Sequence, residues 1–287
     1  MLWGFFKKVV VADNCALFVN GVFENYQTLD GSTLFLGAFF FTIQIYGDFS
    51  GYSDIAIGCA RLFGIDLMHN FKYPYFSRDI AEFWRRWHIS LTTWFRDYIY
   101  IPLGGSRAGK WKSFRNTLVI FLVSGFWHGA NWTFVAWGAY HALLFLPLLL
   151  LGQNRRYRDS VAENSFLPSV KELTQMGVTF LLVLLGWILF RSEDISQAAV
   201  YLERMFNASL FSAPQLVGLG FGQLLLKKCF FFTALMFVVE WIGRKQAHGL
   251  MIEDLSLPVR YVIYTVLLII IYGFDASNPQ GFIYFQF

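Results

Sequence analysis

Charge-free apolar stretches alternate with short basic segments along most of the chain. The 39 positions between Arg115 and Arg155 contain no Asp, Glu, Lys or Arg, and the 18 positions 173–190 are also uncharged. A helix needs about 20 mostly apolar residues to cross a bilayer. The pattern therefore predicts an all-α polytopic membrane protein.

Weaker patterns extend this helical prediction. Positions 31–61 are mostly apolar and carry no charge except for two aspartates and the final arginine, which predicts one long or tilted helix with acidic residues inside it. Shorter apolar runs at 229–239 and 261–274 are extended by flanking aromatic residues. The alternation at 197–206 is typical of an amphipathic helix that lies in the membrane interface.

The composition agrees with a membrane location. Of the 287 residues, 56% are hydrophobic, 20% aromatic and only 15% charged, whereas soluble proteins carry about 25% charged residues. The net charge of +4 does not indicate a nucleic-acid binder, because the basic residues lie between apolar runs rather than on one face. In this position they are typical of interfacial anchors and topology determinants.

Two basic segments predict how the longest apolar run is arranged. The segment 104–115 holds four basic residues and no acidic one, and 155–158 holds three arginines. Because basic loops favour the cytoplasm, the run between them is predicted to enter the membrane and return. The rise from Leu118 then places His128 roughly 15 Å deep, about halfway through a ~30 Å hydrocarbon core.

His128 lies in the sequence S-G-F-W-H-G-A-N-W at 124–132. A histidine inside an apolar run is costly unless it is paired or hydrated. Burial disfavours the charged form, so a neutral imidazole able to accept a proton is expected. Gly125 and Gly129 would allow a backbone or a substrate to approach closely. The alternative is a structural histidine that packs between helices and forms a hydrogen bond with a neighbouring carbonyl. The sequence is compatible with both roles.

A second cluster precedes it, with Glu82, Arg85, Arg86 and His88 among three tryptophans. On a continuous helix Glu82 would face both arginines, and His88 would follow Arg85 by three positions. One interpretation is an interfacial anchor. The other is the polar wall of a substrate tunnel, where the arginines hold phosphate or carboxylate groups.

The acidic residues Asp48 and Asp54 are candidates for a functional site because they lie inside an apolar run. A structural ion pair between Asp54 and Arg61, seven positions apart, is the competing interpretation. No metal-ligand spacing and no nucleotide-binding motif occurs, so we expect neither a structural metal nor a bound cofactor. His141 follows His128 by thirteen positions, which does not place both on one helical face.

Several blocks of the sequence together resemble the membrane-bound O-acyltransferases, most closely the branch that O-acetylates alginate in bacteria, with the D-alanyl transferases more distant. The blocks are residues 4–13, 48–58, 70–75, 83–91, 94–105, 126–132 and 282–287. The resemblance implies that His128 is the catalytic residue and that His88 is a second histidine important for activity. It makes Asp48, Asp54, Arg85, Arg86, Trp127 and Asn131 candidates for lining the substrate tunnel.

The resemblance also implies a fold, a reaction and a location. The fold is a ring of tilted transmembrane and re-entrant helices around a central funnel, in the bacterial inner membrane. Residues 1–287 are expected to form a single catalytic core that lacks the N-terminal helices of longer members. The donor is expected to be acetyl-CoA or another acetyl thioester, and the acceptor an extracellular polysaccharide such as alginate, with a periplasmic acetyltransferase as partner.

Two other functions remain compatible with the residues. One is a channel or transporter for a polysaccharide or an acyl intermediate, in which the buried acids and arginines line the path. The other is a non-catalytic assembly subunit that docks a periplasmic transferase. The histidine blocks favour the acyltransferase.

Overall fold

The computed structural model describes residues 1–107, 109–216, 222–276 and 281. Within these ranges the regular elements are all helical, which confirms the all-α prediction. The block at 282–287 lies outside the described residues. The helices are α1 (Leu2–Phe5), α2 (Asp13–Glu24), α3 (Gly31–Leu62), α4 (Ile80–Arg86), α5 (Ile89–Phe95), α6 (Lys110–His128), α7 (Trp132–Leu150), α8 (Val170–Arg191), α9 (Ile195–Met205), α10 (Gln223–Ile242) and α11 (Leu257–Phe274). Short π-helical segments (Phe6–Ala12, Arg96–Tyr100) and 3₁₀ turns (Pro74–Phe76, Ala208–Phe211) connect some of them.

Three of the described helices are long and apolar enough to cross a membrane: α7, α8 and α11. They contain or lie within the runs predicted from the sequence, and they make the chain a membrane protein with several helices. The run predicted at 31–61 is the single helix α3, which keeps both aspartates in its interior. Its 32 residues extend for about 48 Å at 1.5 Å per residue.

The chain divides into two compact units, residues 1–68 with 199–287, and residues 69–198. In the first unit the N-terminal helical segment packs closely along α3. A Cβ added to Gly4 would lie 2.5 Å from the carbonyl oxygen of Gly51, so a side chain at position 4 would prevent this approach. The C-terminal part of α9 joins the same unit, where Tyr201 stacks on Phe23 and donates a hydrogen bond to the Leu34 carbonyl at 2.7 Å.

In the second unit α6 and α7 form an antiparallel helical hairpin, as expected for an apolar run that enters the membrane and returns. Glycines face the partner backbone at two levels. A Cβ at Gly125 would lie 2.2 Å from the Phe134 carbonyl oxygen, and one at Gly138 would lie 2.3 Å from that of Phe121. The close approach expected at Gly125 is thus confirmed.

The hairpin contact generates a prediction for two helix-interior glycines. Gly138→Ala should destabilise the protein by about 1–3 kcal/mol, because its methyl group meets backbone that cannot rotate away. Gly177→Ala in α8 should be neutral or slightly stabilising, since nothing lies within 4 Å of its added methyl group. Thermal unfolding of the full-length protein in detergent measures both, and equal midpoints would contradict the close contact.

Candidate functional site

His128 is the last residue of α6, and the turn that follows is fixed by Asn131. The Asn131 side-chain oxygen accepts a hydrogen bond from the Thr133 N–H at 3.1 Å and thereby caps α7. The Asn131 amide nitrogen donates to the Glu193 carbonyl at 2.6 Å. Asn131, predicted to line a tunnel, therefore holds the turn beside His128 with both ends of its amide.

Aromatic rings surround the His128 imidazole. Trp137 and Phe190 meet it edge-on, with ring centroids 5.2 Å and 5.0 Å away, and Phe134 lies at 6.3 Å. Its neighbour Trp127 is at 4.9 Å and remains 53% exposed. The imidazole is half-buried, so it has an apolar enclosure that still leaves part of the ring accessible.

His88 occupies a strained connection between α4 and α5. Its backbone has φ 45° and ψ 55°, in the left-handed region that non-glycine residues rarely adopt. The adjoining segment supports this conformation: the Ile89 N–H donates to the Asn70 carbonyl at 3.0 Å, and the Lys72 N–H to the Arg86 carbonyl at 3.0 Å. Strained backbone of this kind concentrates at functional sites.

The prediction that one helix continues from Glu82 through His88 is wrong, because α4 ends at Arg86. Trp87 is extended and only 2% exposed. Its indole packs against the rings of Phe71 and Trp187, each with a centroid 5.0 Å away. Burying this large side chain requires the backbone to leave the helix at this position.

Trp127 contacts both predicted catalytic histidines. Its ring centroid lies 6.3 Å from that of His88 and 4.9 Å from that of His128, both nearly edge-on. The structure therefore brings together three residues that the sequence singled out in two separate blocks. This group of His88, Trp127 and His128 is called the histidine cluster below.

Burial determines the protonation state of His88, which lies outside the three candidate spans. Removal from water lowers the pKa of His88 to about 4. The imidazole is therefore neutral at pH 7 and can accept a proton. Its Nδ1 lies 3.5 Å from the hydroxyl of Ser90.

His141 is a further buried histidine, which the sequence reasoning set aside. His141 lies on α7. The Trp137 ring lies between the two imidazoles, and its centroid is 5.2 Å from that of His128 and 5.2 Å from that of His141. The His141 side chain is fully buried and also meets Trp84 edge-on at 5.0 Å. Its position inside the longest charge-free run was the signal that could have identified it.

Glu82 is the buried centre of the charged cluster, with a side chain 1% exposed. Arg78 binds it through two nitrogens at 3.1 Å and 2.9 Å, and Arg86 through one at 2.6 Å. Arg85, predicted to face Glu82, instead donates to the carbonyls of Asn154 and Tyr157, each at 2.5 Å. The two arginines predicted to line a tunnel therefore have different partners. Arg86 forms an ion pair with Glu82, and Arg85 binds the backbone of the loop 154–157.

In the first unit, Asp48 and Asp54 are engaged by consecutive lysines. Lys8 lies 2.7 Å from Asp48, and Lys7 lies 2.8 Å from Asp54. Asp54 also lies 3.4 Å from the imidazole of His248. Its partners are therefore Lys7 and His248 rather than Arg61, the residue seven positions further on that the sequence suggested.

The same lysines contact two further acids of this unit. Lys8 lies 2.9 Å from Asp13, and Lys7 lies 3.9 Å from Glu240. The Tyr46 hydroxyl donates to the Glu240 carboxylate, with oxygen distances of 2.8 Å and 2.9 Å. The pair of lysines at the start of the chain was the signal for this network in the sequence.

Comparison with known proteins shows that the chain is similar in sequence to a family of membrane-bound acyltransferases. Residues 19–160 match the sequence model of MBOAT, the membrane-bound O-acyltransferase family. The chain is 42% identical to the probable alginate O-acetylase AlgI of Pseudomonas aeruginosa, over 78% of this chain and 42% of that protein. It is 39% identical to the peptidoglycan O-acetyltransferase of Helicobacter pylori, over 70% of this chain and 37% of that protein.

A teichoic acid D-alanyltransferase of Bacillus subtilis is more distant, at 29% identity over 66% of this chain and 49% of that protein. The chain thus spans less than half the length of these curated relatives. The matches confirm the resemblance that the sequence blocks indicated. Every site residue predicted from the sequence lies inside the matched range 19–160.

The buried position of Glu82 generates a stability prediction. Glu82→Gln removes the carboxylate shared by Arg78 and Arg86 and should destabilise the full-length protein by about 3–5 kcal/mol. The buried Arg86 loses its paired carboxylate, and Arg78 keeps only the longer contacts with Asp159 and Glu172. The control is Asp97→Asn, which breaks the Arg96 pair whose side chains are 59% and 42% exposed and should change little. Thermal unfolding compares them, and equal shifts would contradict a buried anchor.

The lowered pKa of His88 generates a pH prediction. The unfolded state binds a proton near pH 6.5, whereas the folded state binds it only near pH 4. Between these values the unfolded state holds more protons, so stability falls as the pH falls through this window. The thermal midpoint of His88→Gln should lose less than that of the wild type between pH 6.5 and 4. Parallel pH curves would show that His88 does not titrate in this way.

Proposed function

We propose that this chain, which belongs to the membrane-bound O-acyltransferase family, is the histidine-bearing part of an enzyme that O-acetylates an extracytoplasmic polysaccharide. The observation that carries the proposal is the histidine cluster, in which His88 and His128 both contact Trp127. Similarity to a probable alginate O-acetylase and to a peptidoglycan O-acetyltransferase supports acetyl transfer to a polysaccharide.

His128 acts as the general base in this proposal. Its imidazole takes the proton from an acceptor hydroxyl as that oxygen attacks the carbonyl carbon of an acetyl thioester. The tetrahedral intermediate then collapses with cleavage of the carbon–sulfur bond, and the imidazolium returns the proton to the thiolate. The rings of Trp137 and Phe190 around the imidazole support this role, because an enclosure that keeps bulk water away limits hydrolysis of the thioester.

His88 has a supporting role as a positioning group or proton relay. Its neutral state and its place beside Trp127 are what such a role needs. The donor is acetyl-CoA or another acetyl thioester, and the acceptor is a polysaccharide such as alginate. Transfer to the polymer is completed with a periplasmic acetyltransferase as partner.

The remaining features of the proposal concern architecture and location. Tilted and re-entrant helices form a ring around a central funnel in the bacterial inner membrane. The break between α4 and α5 at His88 supports re-entry, since irregular backbone within a membrane protein is tolerated where it lines a cavity.

The test is the O-acetyl content of surface polysaccharide in a strain that lacks its own acetylase. Full-length wild type should restore acetylation, whereas His128→Ala should lose it by at least 10²-fold, the lower range for general-base catalysis. The control His69→Ala removes a histidine outside the cluster and should retain activity. Blotting must show equal membrane levels of all three proteins.

The outcomes also separate the competing functions. Restoration by His128→Ala would overturn the catalytic role of this histidine. A channel would tolerate His128→Ala but fail with Asp48→Asn or Arg85→Gln, and an assembly subunit would tolerate all of these changes. Loss with His128→Ala alone, at equal protein levels, is the result that the acyltransferase requires.

A further inference from the structure

A cavity of about 420 Å³ lies in the second unit, and no residue of the histidine cluster is among the described residues that line it. Its volume falls in the range typical of small-ligand sites. Among the described residues that line it there is no carboxylate. The lining is dominated by five cations and one aromatic ring: Lys72, Arg85, Arg86, Arg155, Arg158 and Tyr157.

Fixed contacts hold the inner part of this cavity in place. Arg86 is anchored by Glu82 at 2.6 Å and donates to the Asp159 carbonyl at 3.0 Å. Arg85 donates to the carbonyls of Asn154 and Tyr157. These bonds draw the loop 154–159 against α4, and Arg155 and Arg158 project from that loop. The cavity is therefore preorganised rather than formed by chance surface side chains.

The aromatic wall is fixed as well. The Tyr157 hydroxyl accepts a hydrogen bond from the Gln175 side chain at 2.7 Å. The Arg78 guanidinium lies over the Tyr157 ring, 4.3 Å from its centroid. Tyr157 therefore cannot swing into the cavity without losing both contacts.

Positive charge in the cavity is incompletely compensated. The Glu82 carboxylate is shared between Arg78 and Arg86. Burial lowers the pKa of Arg85, and among the nearby charges Asp79 and Glu82 raise it more than Arg86 and Arg158 lower it. Neither acid lines the cavity, whereas both of these arginines do. Cations held together in this way repel one another, and an anion bound between them would relieve the repulsion.

We infer that this cavity binds the phosphate groups of an anionic ligand. The planar guanidinium fork of arginine pairs with two phosphate oxygens at once, which favours phosphate over a single point anion. Such phosphate comes either from a soluble diphosphate or from the headgroup of an anionic lipid. The inference concerns binding and does not depend on the proposed acetyl transfer.

The experiment uses the full-length protein in dodecyl maltoside, a detergent without phosphate. Calorimetric titration with inorganic pyrophosphate measures the soluble arm. Native mass spectrometry with phosphatidylglycerol, and with diacylglycerol as the phosphate-free reference, measures the lipid arm. Binding in either arm that weakens with added salt supports the site, because salt screens the charges, and the arm that binds identifies the source.

Two double variants remove equal charge from the same unit. Arg155→Gln with Arg158→Gln changes exposed cavity residues and should weaken binding at least tenfold. The matched control, Arg107→Gln with Lys112→Gln, changes exposed residues outside the cavity lining and should leave binding unchanged. Thermal unfolding confirms that both variants are folded. No binding in either arm, or equal weakening by both variants, would overturn the inference.

Discussion

The carboxylate of Glu82 is the fixed point on which the second unit depends. A buried charge is tolerated only when opposite charges and hydrogen bonds surround it, and here Arg78 and Arg86 supply both. The same two arginines donate to the Asp159 carbonyl, so one carboxylate orients α4 and also the loop that follows α7. This anchor therefore fixes α4 as far as Arg86, the residue that precedes Trp87.

The position of His88 follows in turn from the burial of Trp87. An indole enclosed by neighbouring rings is worth several kcal/mol in apolar packing, which is more than the 1–3 kcal/mol that a left-handed backbone costs. Packing therefore holds His88 in a conformation that its own backbone preference disfavours. Trp127, the ring beside His88, directly precedes His128 on α6, and α6 is held against α7 through backbone contacts that only glycines permit.

The sequence was sufficient for the features that depend on local composition. The helices α3 and α8 correspond to predicted apolar runs, because twenty consecutive apolar residues have few other stable arrangements. The sequence was insufficient where contacts between distant segments decide the outcome. Helical spacing favoured continuation through His88, and only the rings that bury Trp87 end α4 at Arg86. Likewise, helical spacing suggested Arg61 as the partner of Asp54, whereas packing of the N-terminal segment supplies Lys7.

The pairing of Asp54 with Lys7 rather than Arg61 changes how acids inside an apolar run are interpreted. An acid inside an apolar run is a functional candidate by default because its charge is costly there, but the cost is removed equally well by a buried lysine. Lys7 and Lys8 compensate the charges of Asp54 and Asp48 at distances of 2.8 Å and 2.7 Å. A structural role in these ion pairs is therefore sufficient to explain why the two acids are present. The histidine cluster differs in kind. Neutral imidazoles need no compensating charge, and holding His88 in a strained backbone beside Trp127 is not required to neutralise anything. The burial of Trp87 accounts for the strained backbone at position 88 but not for an imidazole there, so the histidines are stronger candidates for function than the acids.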